Sequence, residues 1–137
     1  MKGIYVLIFK INKTINVGIG ALGSIVFPEG LYAYVGSAQN NLELRVQRHQ
    51  RSEKRLFWHI DYLLNNEAAK LIGVYYTPGD KAKECEIARL LLENAEPVHG
   101  FGCSDCHCAS HLFHAENFRF LGKFMQPLTI QNTIAKS

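Results

Sequence analysis

The chain opens with GIYVLIF at residues 3–9 and later reads LYAYVGS at residues 31–37. Both segments are apolar and rich in β-branched or aromatic residues, a composition typical of buried strands. Two long strands that follow each other in this way favour a hairpin-like, antiparallel pairing. The sequence therefore predicts a sheet whose first two long strands are neighbours.

Amphipathic segments later in the chain predict helices around this sheet. The recurrence of apolar residues predicts helices over 41–51, 53–64 and 81–94, and further strands over 71–77 and 117–124. Strands with intervening helices are typical of a small mixed sandwich. The predicted fold class is α/β of the α+β kind, with a small, mainly antiparallel central sheet flanked by helices.

Length and composition indicate one folded domain. A chain of 137 residues has a normal size for a single core, and its hydrophobic content of 47% and charged content of 20% are typical of a globular protein. We predict a domain over residues 1–125, which includes a segment rich in Cys and His at 99–114. A C-terminal tail is predicted over 126–137.

The compartment is predicted from the apolar segments. No apolar run approaches the ~20 residues that span a bilayer, and the short apolar start lacks a small-residue cleavage site. We therefore expect a cytoplasmic protein that does not bind membranes and takes no small organic cofactor. In that reducing compartment the four cysteines are expected to be thiols or metal ligands rather than disulfides.

Positive charge is concentrated at residues 45–55, which we call the basic segment. Its cations are Arg45, Arg48, Arg51, Lys54 and Arg55. A local patch of this size attracts a phosphate backbone. We predict nucleic-acid contacts from Arg48, Arg51, Lys54 and Arg55, although a solvated helix face has the same composition.

Polar side chains are predicted to converge beside the second long strand. Alternation along that strand places Tyr34 and Gly36 on one face, and the missing side chain of Gly36 leaves a gap that a ligand could enter. Arg45 and His49 are four residues apart and share a helix face. Neighbouring elements thus offer phenol, guanidinium and imidazole groups. Plain core packing of the tyrosines and a solvated arginine are the simpler alternatives.

Two tripeptides, GIY at residues 3–5 and YVG at residues 34–36, are followed by this arginine helix. In this order they resemble the signatures of the GIY-YIG nuclease superfamily, over roughly residues 3–95. The segments WHIDYL at 58–63 and FGCSDC at 101–106 are similar to those of a compact, stand-alone prokaryotic branch of undetermined function. Relatives in that branch sometimes occur joined to a DNA-repair glycosylase.

The resemblance implies metal-dependent hydrolysis of phosphodiester bonds in DNA. Tyr5 would act as general base with help from His49, because an ordinary tyrosine with a pKa near 10 is a poor base at neutral pH. Tyr34 would orient the water or a phosphate oxygen. Arg45 would stabilise the charge that develops on the phosphate, since its planar fork suits phosphate oxygens.

A metal ligand is also implied, on the helix after the third long strand. Glu86 is the predicted ligand of Mg²⁺ or Mn²⁺, and Glu84 is the alternative. The spacing between the two signatures exceeds the family's usual length, so residues 10–30 are expected to form an enlarged hairpin or insertion. The family's late asparagine matches neither Asn94 nor Asn117 well enough to be assigned.

The Cys- and His-rich segment has three interpretations. Cys103 and Cys106 have the spacing of a zinc knuckle, and a remote ligand such as Cys85 would complete a structural Zn²⁺ site. Alternatively, small buried thiols and capping side chains hold an irregular loop together. In the third interpretation Ser104, Asp105 and His111 line the active cleft.

Three functions are therefore weighed. The leading prediction is a metal-dependent endonuclease that acts on DNA rather than RNA. The first alternative is a module with the same fold that binds nucleic acid without cutting it, in a salt-sensitive way. The second alternative is a zinc-stabilised interaction module.

Overall fold

The structure, a computed structural model, describes residues 2–38, 42–50, 59–102 and 108–128. In chain order the elements are β1 (Gly3–Ile11), β2 (Ile15–Gly18), β3 (Ser24–Phe27), β4 (Gly30–Ala38), α1 (Leu42–Gln50), α2 (His59–Leu64), β5 (Ala69–Pro78), α3 (Lys81–Asn94), β6 (Glu96–Pro97), β7 (Leu112–Ala115) and β8 (Gln126–Pro127). Short 3-10 helices cover Gly20–Leu22 and Arg119–Lys123.

The principal sheet has six strands in the order β6-β7-β4-β1-β5-β8, and every pairing is antiparallel. The first two long strands are neighbours, with Tyr5 opposite Gly36 and Leu7 opposite Tyr34. β5 lies on the other side of β1 and aligns Gly3 with Pro78. The predicted α+β fold class with an antiparallel central sheet is confirmed.

Both faces of this sheet are buried, because the strand residues alternate between two separate cores. One core includes Tyr5, Leu7, Phe9 and Tyr34, together with Leu42 and Val46 of α1 and Ile60 and Leu63 of α2; we call it the tyrosine face. The other includes Ile4, Val6, Ala33, Val35 and Phe113, together with Ile87, Ala88 and Leu91 of α3; we call it the aliphatic face.

Residues between β1 and β4 form the predicted enlarged hairpin. β2 and β3 pair as a separate two-stranded sheet, with Ile15 opposite Phe27. Ile19 and Phe27 from this hairpin are fully buried in the tyrosine face. The extra residues therefore add a cover to the tyrosine face beside α1 and α2.

The third helix follows its sequence signals closely. Asp80 caps α3 by accepting a hydrogen bond from the Ala82 N–H at 3.1 Å. Its buried face carries Glu84, Ile87, Ala88 and Leu91. Leu92 is 43% exposed, because it lies about 100° further round the helix than the buried Leu91.

The prediction of a last strand over 117–124 is wrong. Arg119–Lys123 forms a 3-10 helix instead, and the Asn117 side chain accepts a hydrogen bond from the Arg119 N–H at 3.1 Å. Phe118, Leu121 and Met125 are buried at spacings of three and four, which suits a helical turn on the aliphatic face.

The predicted tail begins inside the sheet. Gln126 pairs with Tyr76 of β5, and the Leu128 N–H donates to the Val74 carbonyl at 2.9 Å. The division at residue 125 therefore does not coincide with the edge of the sheet, and residues 129–137 lie outside the described part. Among the helices of the described residues, none is long and apolar enough to cross a membrane.

Candidate functional site at one end of the sheet

Tyr5 and Tyr34 project from neighbouring strands into the tyrosine face. Tyr5 lies opposite Gly36, and its ring occupies the space that a side chain on Gly36 would need: a Cβ there would lie 2.5 Å from Tyr5 Cζ. The predicted ligand gap at Gly36 is therefore wrong, because the Tyr5 ring fills it. Gly36 instead lets the Tyr5 hydroxyl reach across β4.

Helix α1 brings two further groups to the Tyr5 hydroxyl. Tyr5 Oη lies 2.9 Å from His49 Nε2, and the two rings are 5.4 Å apart. Arg45 hydrogen-bonds the same hydroxyl and donates through Nη1 to the Ser37 carbonyl at 3.2 Å. The sequence-predicted group of Tyr5, Tyr34, Arg45 and His49 is thus brought together by the fold.

The protonation of the two tyrosines follows from their burial. Tyr5 is 2% exposed, and burial raises its pKa well above the ordinary value of 10.0, while the Arg45 guanidinium partly opposes this shift. Burial likewise raises the pKa of Tyr34, and the negative charge of Glu84 adds to this shift. Both are therefore neutral phenols at pH 7, and Tyr5 can donate its proton to His49 Nε2.

Of the two glutamates considered as metal ligands, Glu84 and not Glu86 acts on this cluster. Glu84 is 8% exposed, its Oε2 lies 3.3 Å from His111 Nδ1, and its charge contributes to the raised pKa of Tyr5. Glu86 is exposed, because two residues turn an α-helix by about 200°. The structure does not bring the predicted metal ligand Glu86 to the site. The alternative residue, Glu84, lies at the site.

Two histidines from distant parts of the chain also line this end of the sheet. The Gly102 N–H donates to His59 Nδ1 at 2.9 Å, and burial lowers the pKa of His59. Gly102 has φ of +76°, and a Cβ there would lie 3.1 Å from His111 Cβ and 3.4 Å from Tyr34 Cε1. Glycine is required because backbone and two rings meet at this point.

Sequence reasoning offered Glu84 as the alternative metal ligand and His111 in one of three interpretations, and it gave His59 no role in the site. Glu84 carried a usable signal, since Glu84, Ile87, Ala88 and Leu91 share one helix face. For His59 and His111 no local pattern indicates the site. His59 meets Gly102 across 43 residues of sequence, so that contact depends on the packing of α2 against the 98–102 segment.

The basic segment is only partly described. Arg48 binds Asp61 with both guanidinium nitrogens, Nη1 to Oδ1 at 2.9 Å and Nη2 to Oδ2 at 3.1 Å. Asp61 is fully buried, so this bidentate pair ties α1 to α2. The structure thereby gives Arg48 a packing role, and its predicted nucleic-acid contact stays a prediction. Arg51, Lys54 and Arg55 lie outside the described residues.

The Cys- and His-rich segment is likewise divided. Cys103, Ser104, Asp105 and Cys106 lie outside the described residues, whereas Cys108 Sγ lies 3.0 Å from Cys85 Sγ. His111 donates its backbone N–H to Phe101 at 2.8 Å, and its carbonyl accepts from Val35 at 2.9 Å. The segment thus extends the sheet beside β4 instead of forming an irregular loop throughout.

The donor side chains of the described residues limit which metal ion the site could hold. Within residues 2–38, 42–50, 59–102 and 108–128, no group of three or more His, Cys, Asp or Glu side chains is arranged to hold a metal ion. A structural Zn²⁺ site needs four such ligands. Mg²⁺ commonly keeps several waters and takes one or two carboxylates plus substrate phosphates. A single carboxylate such as that of Glu84 is therefore enough for Mg²⁺.

These observations define the class of protein: an antiparallel α+β fold with a buried cluster of tyrosine, histidine and arginine at one end of its sheet. The chain belongs to the family described as Domain of unknown function DUF123, whose model matches residues 4–131. Neither the curated proteins nor the solved structures contain a match to the chain.

Family membership corrects the resemblance drawn from the two tripeptides. The matching family is DUF123, and no GIY-YIG nuclease family matches, so the assignment to that superfamily is wrong. Two tripeptides are a short match. The same pair can arise in unrelated proteins wherever a glycine must face a tyrosine ring on the neighbouring strand, as Gly36 faces Tyr5 here. Any function must therefore be argued from the site itself.

Proposed function

We propose that the protein hydrolyses phosphodiester bonds in DNA at the cluster around Tyr5. The observation that carries the proposal is the position of the Tyr5 hydroxyl, which lies 2.9 Å from His49 Nε2 and also hydrogen-bonds Arg45. A hydroxyl between a proton acceptor and a fixed cation is suited to proton transfer beside an anion.

Each group has a distinct part in this proposal. Tyr5 passes its proton to His49 as it accepts one from the attacking water, which offsets the raised pKa that makes Tyr5 alone a poor base. The Arg45 guanidinium, anchored on the Ser37 carbonyl, stabilises negative charge on the phosphate. Tyr34, whose ring centre lies 6.3 Å from that of His49, orients the phosphate or the water.

A divalent cation and a nucleic-acid partner complete the proposal. Glu84 would hold Mg²⁺ or Mn²⁺, which supplies positive charge against the phosphate when bound. The basic segment that begins with Arg45 favours DNA as the partner, because its cations attract a phosphate backbone. A cytoplasmic location is part of this proposal and fits thiols at Cys85 and Cys108.

Matched variants test the proposal with linear, supercoiled and branched DNA, in the presence of Mg²⁺ or Mn²⁺. We expect Arg45→Ala to lower the cleavage rate by roughly 10²- to 10³-fold, as loss of one preorganised donor does elsewhere. Tyr5→Phe and Glu84→Gln should also lower it. Glu86→Gln is the control, since it removes an exposed charge two residues away on the same helix. Cleavage that survives the first three changes contradicts the proposed chemistry.

A second candidate is DNA binding without cleavage. It is favoured by the burial of Tyr5 and Tyr34, which are 2% and 8% exposed and have raised pKa values. In that case no DNA is cut with either metal, while binding weakens steeply with salt and Arg45→Ala reduces it. Absence of both cutting and binding contradicts both candidates.

A further inference from the structure

Two cysteines from distant parts of the chain meet beside the candidate site. Cys108 Sγ lies 3.0 Å from Cys85 Sγ, although the residues are 23 positions apart in sequence. Both are thiols and both are half-buried, so a small reagent can reach them. The sulfur atoms are about 1 Å further apart than in a disulfide bond, whose length is about 2.05 Å.

The sulfur separation favours a bond over a shared metal ion. Two thiolates that each bind zinc at about 2.3 Å in tetrahedral geometry lie about 3.8 Å apart. The observed 3.0 Å is shorter than that separation. The contact therefore resembles a pair of thiols close to the geometry of a disulfide, rather than two of the four ligands of a zinc site.

The same two segments carry the contact between Glu84 and His111 in the candidate site. Cys85 follows Glu84 on α3, and Cys108 lies three residues before His111. Glu84 Oε2 lies 3.3 Å from His111 Nδ1, so the sulfur contact and this side-chain contact both join α3 to the segment that precedes β7 beside β4. A covalent link at the sulfurs would hold Glu84 against His111.

We propose that Cys85 and Cys108 form a reversible disulfide, a modification site oxidised by a low-molecular-weight disulfide such as glutathione disulfide. One thiolate attacks the reagent and releases one reduced glutathione, which leaves a mixed disulfide on the protein. The second thiolate attacks the protein sulfur of that mixed disulfide and releases the second glutathione. Two protein thiols are oxidised and one glutathione disulfide is reduced to two thiols, with two protons transferred to them.

The disulfide has a measurable effect that does not depend on nuclease activity. Closing a loop of this length constrains the unfolded chain, so the oxidised form should melt roughly 10 °C above the reduced form. In the cytoplasm such bonds are transient and respond to the redox state. The modification would therefore fix the position of Glu84 under oxidising conditions.

The test uses the full-length chain in glutathione buffers of increasing oxidation. Intact mass should fall by the mass of two hydrogens, peptide mapping should join the peptides that contain Cys85 and Cys108, and the Tm should rise. Reduction should reverse all three. Cys85→Ser should abolish the mass loss and the Tm rise, whereas the control Cys103→Ser/Cys106→Ser should retain both.

Three outcomes would overturn the inference. One is a wild-type chain that takes up only glutathione adducts. Another is a peptide map that joins Cys85 or Cys108 to Cys103 or Cys106 instead of to each other. The third is stoichiometric zinc in the purified protein that Cys85→Ser removes. The wild-type peptide map decides the question even where a serine variant fails to fold.

Discussion

Strand β1 contributes side chains to both cores of the protein, the tyrosine face and the aliphatic face, and these two cores differ in polarity. Tyr5, Leu7 and Phe9 face α1, α2 and the β2–β3 hairpin, whereas Ile4 and Val6 face α3. Both sets are almost completely buried. The aliphatic face near β1 is closed with hydrocarbon, while the tyrosine face encloses a hydroxyl, an imidazole and a guanidinium.

The difference shows where this fold can accommodate a reactive site. A buried polar group is costly unless it is hydrogen-bonded, and Tyr5 and Asp61 meet this requirement on the tyrosine face. There Tyr5 has His49 and Arg45 as partners, and Asp61 has Arg48. Near β1 the aliphatic face contributes hydrocarbon burial, and the tyrosine face combines such burial with a hydrogen-bonded polar cluster.

The largest expected effect is on the aliphatic face. Phe113 is fully buried on β7 opposite Ala33, so Phe113→Ala should lower the free energy of unfolding by about 4 kcal/mol, through lost burial and a residual cavity. Urea unfolding measures the change. Phe124→Ala is the control, because Phe124 is 53% exposed and its removal should cost under about 1 kcal/mol. Equal costs for the two variants would mean that Phe113 is not part of a closed core.

A smaller effect is expected where the tyrosine face crosses β4. Gly36→Ala places a methyl group against the Tyr5 ring and should destabilise the fold by about 2 kcal/mol, and it should move the Tyr5 hydroxyl away from His49. Urea unfolding gives the cost, and the histidine NMR resonances report the loss of the contact.

Gly73→Ala is the matched control for this substitution. Gly73 lies on β5, on the other side of β1, and a Cβ there meets no heavy atom within 4 Å. We expect no loss of stability at Gly73, or a small gain from reduced freedom of the unfolded chain. If Gly36→Ala is as harmless as Gly73→Ala, the Tyr5 ring does not occupy the space over Gly36.

Local patterns predicted the parts of this structure that depend on neighbouring residues. The bounds of β4 and α3 follow from strand alternation, from the Asp80 cap and from helical spacing. The contact between Tyr5 and His49 spans 44 positions, and only the resemblance joined these two residues, since strand alternation and helical spacing grouped Tyr34 with Arg45 and His49. Glu86 shows the opposite case: the resemblance suggested it as the ligand, whereas in the structure Glu84 shares the buried helix face with Ile87 and Ala88.

The parts that could not be predicted depend on long-range packing. No local signal places β7 beside β4, because its four residues follow a segment rich in Cys, His and Gly. His111 reaches the site through that placement, and His59 reaches it through the packing of α2 against the 98–102 segment. The resemblance to a nuclease superfamily failed for a related reason. The two tripeptides reflect the local pairing of Tyr5 with Gly36 on neighbouring strands and carry little information about the other residues of the site.

The smallest expected effect concerns the pH dependence of the tyrosine face. Burial lowers the pKa of His59 below its ordinary 6.5, and Nδ1 must be unprotonated to accept the Gly102 N–H. Protonation is therefore less favourable in the folded protein than in the unfolded chain, so this contribution is complete above pH 6.5 and is lost as the pH falls through the folded pKa. We expect this hydrogen bond to contribute about 1 kcal/mol to the free energy of unfolding.

The variant His59→Asn tests this pH dependence. Its amide oxygen can accept from Gly102 and does not titrate, so urea midpoints measured from pH 8 to pH 5 should fall less steeply than in the wild type. Parallel curves for the two proteins would show that His59 is not held neutral by this contact.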